Sequence, residues 1–433
     1  MTASIAYLAP LAYVDGALRT DVRFDVAADG TLVGLGDANE PGPAQVRRRF
    51  GDALVLPGFV NAHSHAFQRG IRGATHLRTA DAPSSFWSWR TAMYDAATKL
   101  DPESLYAITK VAFAEMLRAG ITHVGEFHYV HHQPDGTPYD DPNELSWQVV
   151  RAAEDVGIRL TLLEVFYARA GAGQPPLPEQ RRFCDASVDA YLARVDALRA
   201  RGVDVGITPH SIRAVSAEQL RALVEYATSH DLVLHTHLSE QPRENAECHA
   251  EHGTAPAGAF ERAGALARPH RFTAVHATHL DEEDVARLGD QNVCVCPTTE
   301  ADLGDGILDA PALVERGCTL SLGSDSNAVI DLVQEARLLE MHDRLARQGR
   351  LRLNDAQGRL GAALLEAATT GGATALGHDG GRFAVGQPMD AVVVDLRHPF
   401  FEHVQPAHCL DALFAAGTAA PIRTVVVGGE EQG

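Results

Sequence analysis

Short apolar segments recur along the chain from residue 54 onward, and nearly every one has His, Glu or Asp at or near its end. The eight segments cover residues 54–65, 121–130, 159–167, 204–212, 232–240, 272–280, 292–300 and 318–326. They alternate with helical patterns, which is typical of repeated βα units in a parallel sheet. Buried strands with polar C-terminal tips are characteristic of a barrel whose active site lies at that end. The pattern therefore predicts a (β/α)8 TIM barrel.

The two ends of the chain show a different pattern, in which strand-like runs are separated by Gly, Asp and Pro turns. We expect these ends to pair into one small β-sandwich, with the barrel inserted between them. The predicted domains are residues 1–56 and 379–433 for the sandwich and residues 57–378 for the barrel. Between the barrel strands, Asp101 with Pro102 predicts a helix start and Gly120 a helix end.

Length and composition are those of a globular protein, because 433 residues with 45% hydrophobic content suffice for one large barrel and an accessory sheet. The net charge of -20 without a Lys/Arg cluster argues against nucleic acid or an anionic membrane as partner. There is no run of 18 apolar residues, and the N-terminus lacks the pattern of a secretory signal, so we expect a cytoplasmic protein. Six scattered cysteines favour reduced thiols. A homodimer is our expectation for the assembly.

A His-x-His pair ends the first predicted barrel strand. His63 and His65 face the same side, because residues i and i+2 of a strand do so. His237, His276 and Asp325 lie on or at the ends of strands five, six and eight, where a barrel gathers its catalytic groups. Imidazoles combined with a carboxylate suit a single divalent metal ion, most simply zinc, with a position left for water.

The strings PGFVNAHSH, HTHLSE, VHATHLDEEDV and LGSDS resemble the amidohydrolase superfamily, in particular its aminohydrolases. The resemblance implies that His63, His65, His237 and Asp325 bind the metal ion. It also implies that Glu240 is the general acid and base, that His276 stabilises charge on the attacking oxygen, and that Asp325 accepts the proton of water. Members with two metals generally use a carboxylated lysine on strand four, and this chain has no lysine after position 110, which implies one metal ion.

Further strings narrow the resemblance, namely HSHAFQRG, SFWSWR, EFHYVHH, GQPP, PHSIRAV, CPTTEADLGDG and GSDSN. Together they resemble the formimidoylglutamate deiminase family of histidine degradation. That resemblance implies hydrolysis of N-formimino-L-glutamate to N-formyl-L-glutamate and ammonia. The residues that it places at the substrate are Gln68, Arg90, Tyr129, His210 and Arg213. A dicarboxylate entering an acidic protein needs fixed cations, for which arginine is suited by its planar fork of donors.

Two other functions stay open at this stage. One is an aminohydrolase acting on a heterocycle such as guanine, which would favour stacking aromatic residues over arginines. The other is a barrel that binds a ligand without catalysis, which the complete ligand set and Glu240 disfavour.

Several further residues are ambiguous in the sequence. The histidines of the loop after the second strand are candidates for shaping the pocket, and the pair Cys294 and Cys296 favours packing over metal binding. Strand spacing turns His279 away from His276. Trp87 and Trp89 favour packing in a lid or an interface. The acids at strand tips could be hydrogen-bond acceptors behind the site. These residues are His128, His131, His132, Cys294, Cys296, His279, Trp87, Trp89, Glu126 and Glu164.

Overall fold

The structure is a computed structural model that describes residues 2–76 and 85–432. The chain begins with strands β1 (Ala3–Val14), β2 (Ala17–Ala27), β3 (Leu32–Asp37), β4 (Val46–Arg49) and β5 (Ala53–Pro57). The barrel strands follow as β6 (Phe59–Ser64), β7 (Ile121–His128), β8 (Arg159–Phe166), β9 (Val205–Pro209), β10 (Leu234–Leu238), β11 (Phe272–His276), β12 (Asn292–Val295) and β13 (Thr319–Leu322). The last strands are β14 (Ala391–Asp395), β15 (Ile422–Val427) and β16 (Glu430–Gln432).

Helices follow most of the barrel strands. They are α1 (Phe86–Thr98), α2 (Pro102–Arg118), α3 (Glu144–Val156), α4 (Val188–Ala200), α5 (Ala217–Ser229), α6 (Pro242–His252), α7 (Pro256–Arg262), α8 (Glu282–Arg287), α9 (Pro297–Leu303), α10 (Ala310–Val314), α11 (Leu332–Arg347), α12 (Leu360–Ala368), α13 (Thr370–Ala375) and α14 (Cys409–Ala416). Short 3-10 turns span Ala66–Ile71, Pro178–Phe183, Ile212–Ala214, Pro399–Phe401 and Pro406–His408. The predicted start of α2 is confirmed, because Asp101 accepts a hydrogen bond from the Ser104 N–H at 2.8 Å.

Strands β6 to β13 pair in chain order as one parallel eight-stranded sheet. Its first and last strands meet through backbone hydrogen bonds. His65 N–H donates to the Asp325 carbonyl at 2.8 Å, and Asp325 N–H donates to the His63 carbonyl at 3.0 Å. The predicted eight-stranded barrel is confirmed, and three of the four candidate metal ligands, His63, His65 and Asp325, lie at this junction.

The two chain ends join in one mixed sheet, in the order β16-β15-β14-β5-β1-β2-β3 with β4 paired to β1. The predicted first barrel segment, residues 54–65, is therefore two strands, since β5 belongs to the terminal sheet and β6 to the barrel. Gly58 separates them. A side chain at Gly58 would collide with Thr122, because a Cβ there would lie 2.2 Å from the Thr122 hydroxyl oxygen.

Strand β5 contributes to two hydrophobic cores, because successive side chains of a strand point to opposite faces. Leu54 and Leu56 pack in the core that surrounds the barrel, whereas Ala53 and Val55 pack in the separate core of the terminal sheet. All four side chains are fully buried. The terminal sheet is thus attached to the barrel through a shared strand.

No helix in residues 2–76 and 85–432 combines the length and the apolar character needed to cross a membrane. All six cysteines are free thiols, which agrees with the expectation of reduced cysteines.

Candidate active site

The four predicted metal ligands converge at the C-terminal end of the barrel. One ligand atom each from His63, His65, His237 and Asp325 lies within 4.8 Å of the other three, and all four residues are buried. Asp325 Oδ1 is 3.2 Å from His63 Nε2 and 3.3 Å from His65 Nε2. The Nε2 atoms of His65 and His237 are 3.4 Å apart. Side chains from β6, β10 and the end of β13 thus surround one point.

Backbone carbonyls orient two of these imidazoles. His65 Nδ1 donates to the Phe127 carbonyl at 2.9 Å, and His237 Nδ1 donates to the His210 carbonyl at 3.0 Å. Because a carbonyl only accepts, each Nδ1 carries the proton and each Nε2 presents a lone pair. Neither ring nitrogen of His63 has a hydrogen-bond partner among the described residues.

The charge states also suit a cation. Burial lowers the pKa of His63 to about 3, and it lowers the pKa of His65 and His237 as well. Burial opposes ionisation of Asp325, but His63, whose Nε2 is 3.2 Å from Oδ1, and the other nearby imidazoles hold the pKa of Asp325 below its usual range. Three neutral imidazoles and one carboxylate form a donor set that fits a tetrahedral or five-coordinate divalent ion.

Glu240 and His276 lie beside this cluster. Glu240 Oε1 is 3.8 Å from His276 Nε2, and His276 Nδ1 is 3.3 Å from Glu300 Oε1. Burial opposes protonation of His276, but the carboxylates of Glu240, Glu300 and Asp325 outweigh it and raise the pKa of His276 well above its ordinary value. Burial raises the pKa of the Glu240 carboxyl. The pair can therefore hold protons close to the predicted metal position.

The backbone near these residues is strained. His276 has a φ of +67° and Asp325 a φ of +43°, in the left-handed region that residues other than glycine rarely adopt. Ser239, next to Glu240, has a φ of +52°. Such conformations cluster at functional sites, where the surrounding fold holds them in place.

A cavity opens beside the candidate metal ligands, and it brings all of the predicted substrate residues together. Its lining comprises His65, Gln68, Phe86, Trp89, Arg90, Met93, Tyr94, Tyr129, Tyr167, Phe183, His210, Arg213, His237, Glu240, His276, Leu303 and Asp325. Gln68 Nε2 donates to the Tyr129 hydroxyl at 2.8 Å. The Arg213 side chain is buried and lines the cavity, so its guanidinium is placed to meet a ligand there.

The lining and supporting residues that were not predicted from the sequence include three polar ones, Tyr94, Tyr167 and Glu300. Tyr94 lies four residues after Arg90 on α1, and Tyr167 directly follows the C-terminal end of β8, where polar residues of a barrel are expected to face the site. Glu300 lies on α9, beyond the end of β12, and accepts from the Cys296 N–H at 2.9 Å while contacting His276. The sequence could have indicated Glu300 as a site residue, because it ends the string CPTTE directly after a barrel strand.

A second buried polar cluster lies behind the cavity. His128, His131 and Glu164 place ligand-type atoms within 4.8 Å of one another. However, Arg194 binds Glu164 through Nη1 and binds Asp185 through Nε and Nη2 at 2.8 and 2.7 Å. The guanidinium already supplies the positive charge that a metal ion would bring, so Glu164 is part of an ion-pair network.

The other ambiguous residues have structural surroundings. Glu126 accepts from the Ala66 N–H at 2.6 Å, which fixes the turn after His65, and burial raises the pKa of Glu126 to about 8. His279 contacts the Asp305 carbonyl at 2.8 Å and does not line the cavity. Trp89 lines the cavity, whereas Trp87 stacks under the guanidinium of Arg243 at 4.8 Å.

Comparison with known proteins agrees with this arrangement. The sequence profile of the amidohydrolase family matches residues 54–431. The chain is 41% identical to formimidoylglutamate deiminase of Pseudomonas aeruginosa over 94% of this chain and 90% of that protein. A crystal structure of an amidohydrolase from Brucella melitensis superposes with a TM-score of 0.90 at 33% identity, covering 99% of this chain and 94% of that one. An adenosine deaminase from Xanthomonas campestris with bound zinc shares the fold, with a TM-score of 0.83 at 24% identity over 99% of this chain and 92% of that one.

Proposed function

Because the chain belongs to the amidohydrolase family, and so hydrolyses a C–N bond, we propose that its substrate is N-formimino-L-glutamate and its products are N-formyl-L-glutamate and ammonia. The observation that carries the proposal is the cavity itself. It combines the three-histidine and one-aspartate cluster and Glu240 with two arginines, Arg90 and Arg213. The Pseudomonas aeruginosa relative, which carries the name of this activity, supports the same substrate.

We propose zinc as the ion held by His63, His65, His237 and Asp325. The donor set supports this choice, since imidazole nitrogens and a carboxylate oxygen are common zinc ligands. A divalent ion held by these residues would lower the pKa of water toward neutrality and so would supply a nucleophile. Affinity alone does not separate zinc from iron or manganese, and metal analysis of the purified protein decides between them.

The side chains around the substrate carry the proton transfers. Asp325 accepts a proton from the attacking water, whose oxygen bonds to the formimino carbon, and protonated His276 donates a hydrogen bond to that oxygen as charge develops. Glu240, whose carboxyl pKa is raised by burial, donates a proton to the terminal nitrogen. The remaining hydroxyl proton passes to the same nitrogen as its C–N bond breaks, so ammonia leaves and the formyl C=O forms on the N-substituted glutamate. Transfer of the proton from Asp325 to Glu240 then restores both carboxyl groups.

The cationic side chains favour a flexible dicarboxylate over a heterocycle. A neutral ring would leave the guanidiniums of Arg90 and Arg213 without an anionic partner in the cavity, which costs free energy. Arg90 is held by two tyrosine hydroxyls, at 2.6 Å to Tyr94 and 3.4 Å to Tyr167, so its position is fixed before substrate enters. Arg213 offers a second cation in the same cavity.

Ammonia release from N-formimino-L-glutamate by the zinc-loaded protein tests this function. We expect turnover of this compound and none of guanine or cytosine under the same conditions. Absence of turnover together with deamination of a purine or pyrimidine would instead support the heterocycle aminohydrolase. Absence of activity toward every compound, with the metal ion bound, would support the non-catalytic barrel.

A further inference from the structure

Four side chains form a hydrogen-bonded group on one wall of the cavity. Arg90 Nε donates to the Tyr94 hydroxyl at 2.6 Å, and Arg90 Nη2 donates to the Tyr167 hydroxyl at 3.4 Å. Gln180, fully buried on the turn Pro178–Phe183, lies within hydrogen-bond distance of the same two hydroxyls, at 3.0 Å to Tyr94 and 2.8 Å to Tyr167. Each tyrosine oxygen therefore has two nitrogen neighbours.

The donor and the acceptor of each hydrogen bond in this group follow from the atoms involved. Gln180 Oε1 lies 2.9 Å from the backbone N of Leu177, which can only donate, so that atom of the amide is the oxygen. The other end of the amide is consequently the NH2 group, and it donates to both tyrosines. Arg90 has only donors. Both tyrosine oxygens thus accept two hydrogen bonds each.

A hydroxyl oxygen has two lone pairs and one proton. With both lone pairs engaged by Arg90 at 2.6 Å and by Gln180 at 3.0 Å, the Tyr94 oxygen cannot accept the proton of Tyr167. Toward Arg90 and Gln180 both hydroxyls act as acceptors, so neither spends its own proton on these two side chains. Both tyrosines line the cavity, so the two protons are available to a ligand in it.

We propose that Tyr94 and Tyr167, oriented by Gln180, form with Arg90 a subsite that binds one carboxylate of the substrate. The inference rests on the proposed function and identifies the residues that select a carboxylate at one end of the substrate. A carboxylate has about four acceptor positions and no donor, which matches a guanidinium flanked by two outward O–H groups. A group with a donor at this position would face three donors and be rejected. Gln180 is a positioning residue, since it acts through the tyrosines.

Phenylalanine substitutions test the two hydroxyls with little change of shape. We expect Tyr94→Phe and Tyr167→Phe each to raise KM for N-formimino-L-glutamate by roughly 10-fold, because hydrogen bonds to charged groups contribute about that much. Tyr191→Phe is the matched control. Its hydroxyl is also buried and donates to the Glu164 carbonyl at 2.7 Å, but it does not line the cavity. We expect its KM to equal that of the wild type.

Two analogues identify which carboxylate is bound, N-formiminoglycine with only the α-carboxylate and N-formimino-4-aminobutyrate with only the distal one. The Tyr94→Phe/Tyr167→Phe double variant should raise KM for N-formimino-L-glutamate and for one analogue, and leave the KM of the other analogue unchanged. An equal rise for all three compounds, or no rise for any of them, refutes the subsite. The Gln180→Glu variant should also raise KM for N-formimino-L-glutamate. A carboxylate at position 180 would accept the protons of both tyrosines and so turn them away from the cavity.

Failure of the subsite and failure of the proposed function give different results. Wild-type protein that is inert toward N-formimino-L-glutamate would refute the function. Calorimetric titration with N-formyl-L-glutamate then tests the subsite by itself. Weaker binding to the double variant than to the wild type supports the subsite, and equal affinity refutes it. Thermal unfolding of each variant verifies that the comparison is made between folded proteins.

Discussion

Replacing Arg194 with methionine should destabilise the protein strongly, because it leaves two buried carboxylates without their cation. The Arg194 and Asp185 side chains are 4% and 3% exposed, and Glu164 is fully buried. Three hydrogen bonds to carboxylate oxygens disappear with the guanidinium. Breaking a buried ion pair in this way costs about 3–5 kcal/mol of unfolding free energy.

That loss is measurable as a shift in thermal unfolding. At about 2.1 cal/mol/K of unfolding entropy per residue, the 433-residue chain has roughly 0.9 kcal/mol/K, so we expect Tm to fall by about 3–6 °C. Arg199→Met on the same helix is the control. Its side chain is 30% exposed and lies 3.5 Å from Asp196, and such exposed pairs contribute about 1 kcal/mol or less.

The pH dependence provides a second check. Burial opposes ionisation of Asp185, but the hydrogen bonds from Arg194 and His132 hold its folded pKa below the ordinary 3.8. A lowered folded pKa stabilises the fold above the unfolded value, and this contribution is lost as pH falls through the folded pKa. The gap between wild type and Arg194→Met should therefore narrow below about pH 4. A deficit no larger than that of Arg199→Met, or one that widens in acid, would refute the reasoning.

The remaining predictions concern activity. Glu240→Gln should retain the metal ion, checked by elemental analysis, and lower kcat by roughly 10²- to 10⁴-fold because the proton donor is lost; full activity would exclude the assigned role. Arg213→Ala should raise KM by roughly 10- to 100-fold with a smaller effect on kcat, since one ionic contact to substrate disappears; an unchanged KM contradicts this. Glu300→Gln should lower kcat more than it raises KM, because His276 loses the carboxylate 3.3 Å from Nδ1; steady-state kinetics with equal kcat would refute it. Dialysis against a chelator should abolish turnover and added zinc should restore it, whereas full activity after metal removal would refute the metal site.

The barrel and the convergence of its ligands were predictable because both depend on simple periodicity. A parallel barrel places every strand tip at the same end, so His63, His237 and Asp325 could be grouped without knowing any loop. The side chains that come from helices and turns were harder. Tyr94 reaches the cavity from α1, and Gln180 reaches its partners from an irregular turn. No strand periodicity covers such positions.

Where a strand ends also limits what periodicity can predict. The orientation of His279 was inferred from strand spacing, yet β11 ends at His276, whose φ of +67° turns the chain out of the sheet. His279 does lie outside the cavity, but its contact with the Asp305 carbonyl places it there. Likewise, strand periodicity predicted one barrel strand at residues 54–65, whereas Gly58 divides this segment between two sheets.

The division of residues 54–65 between two sheets couples the unfolding of the barrel to that of the terminal sheet. Adjacent residues of β5 anchor both cores, and Gly58 alone separates this strand from β6, which carries His63. The terminal sheet therefore cannot detach without disturbing that barrel strand. Heating or denaturant should therefore produce a single cooperative transition. Deleting either terminus to obtain a minimal barrel should yield insoluble protein.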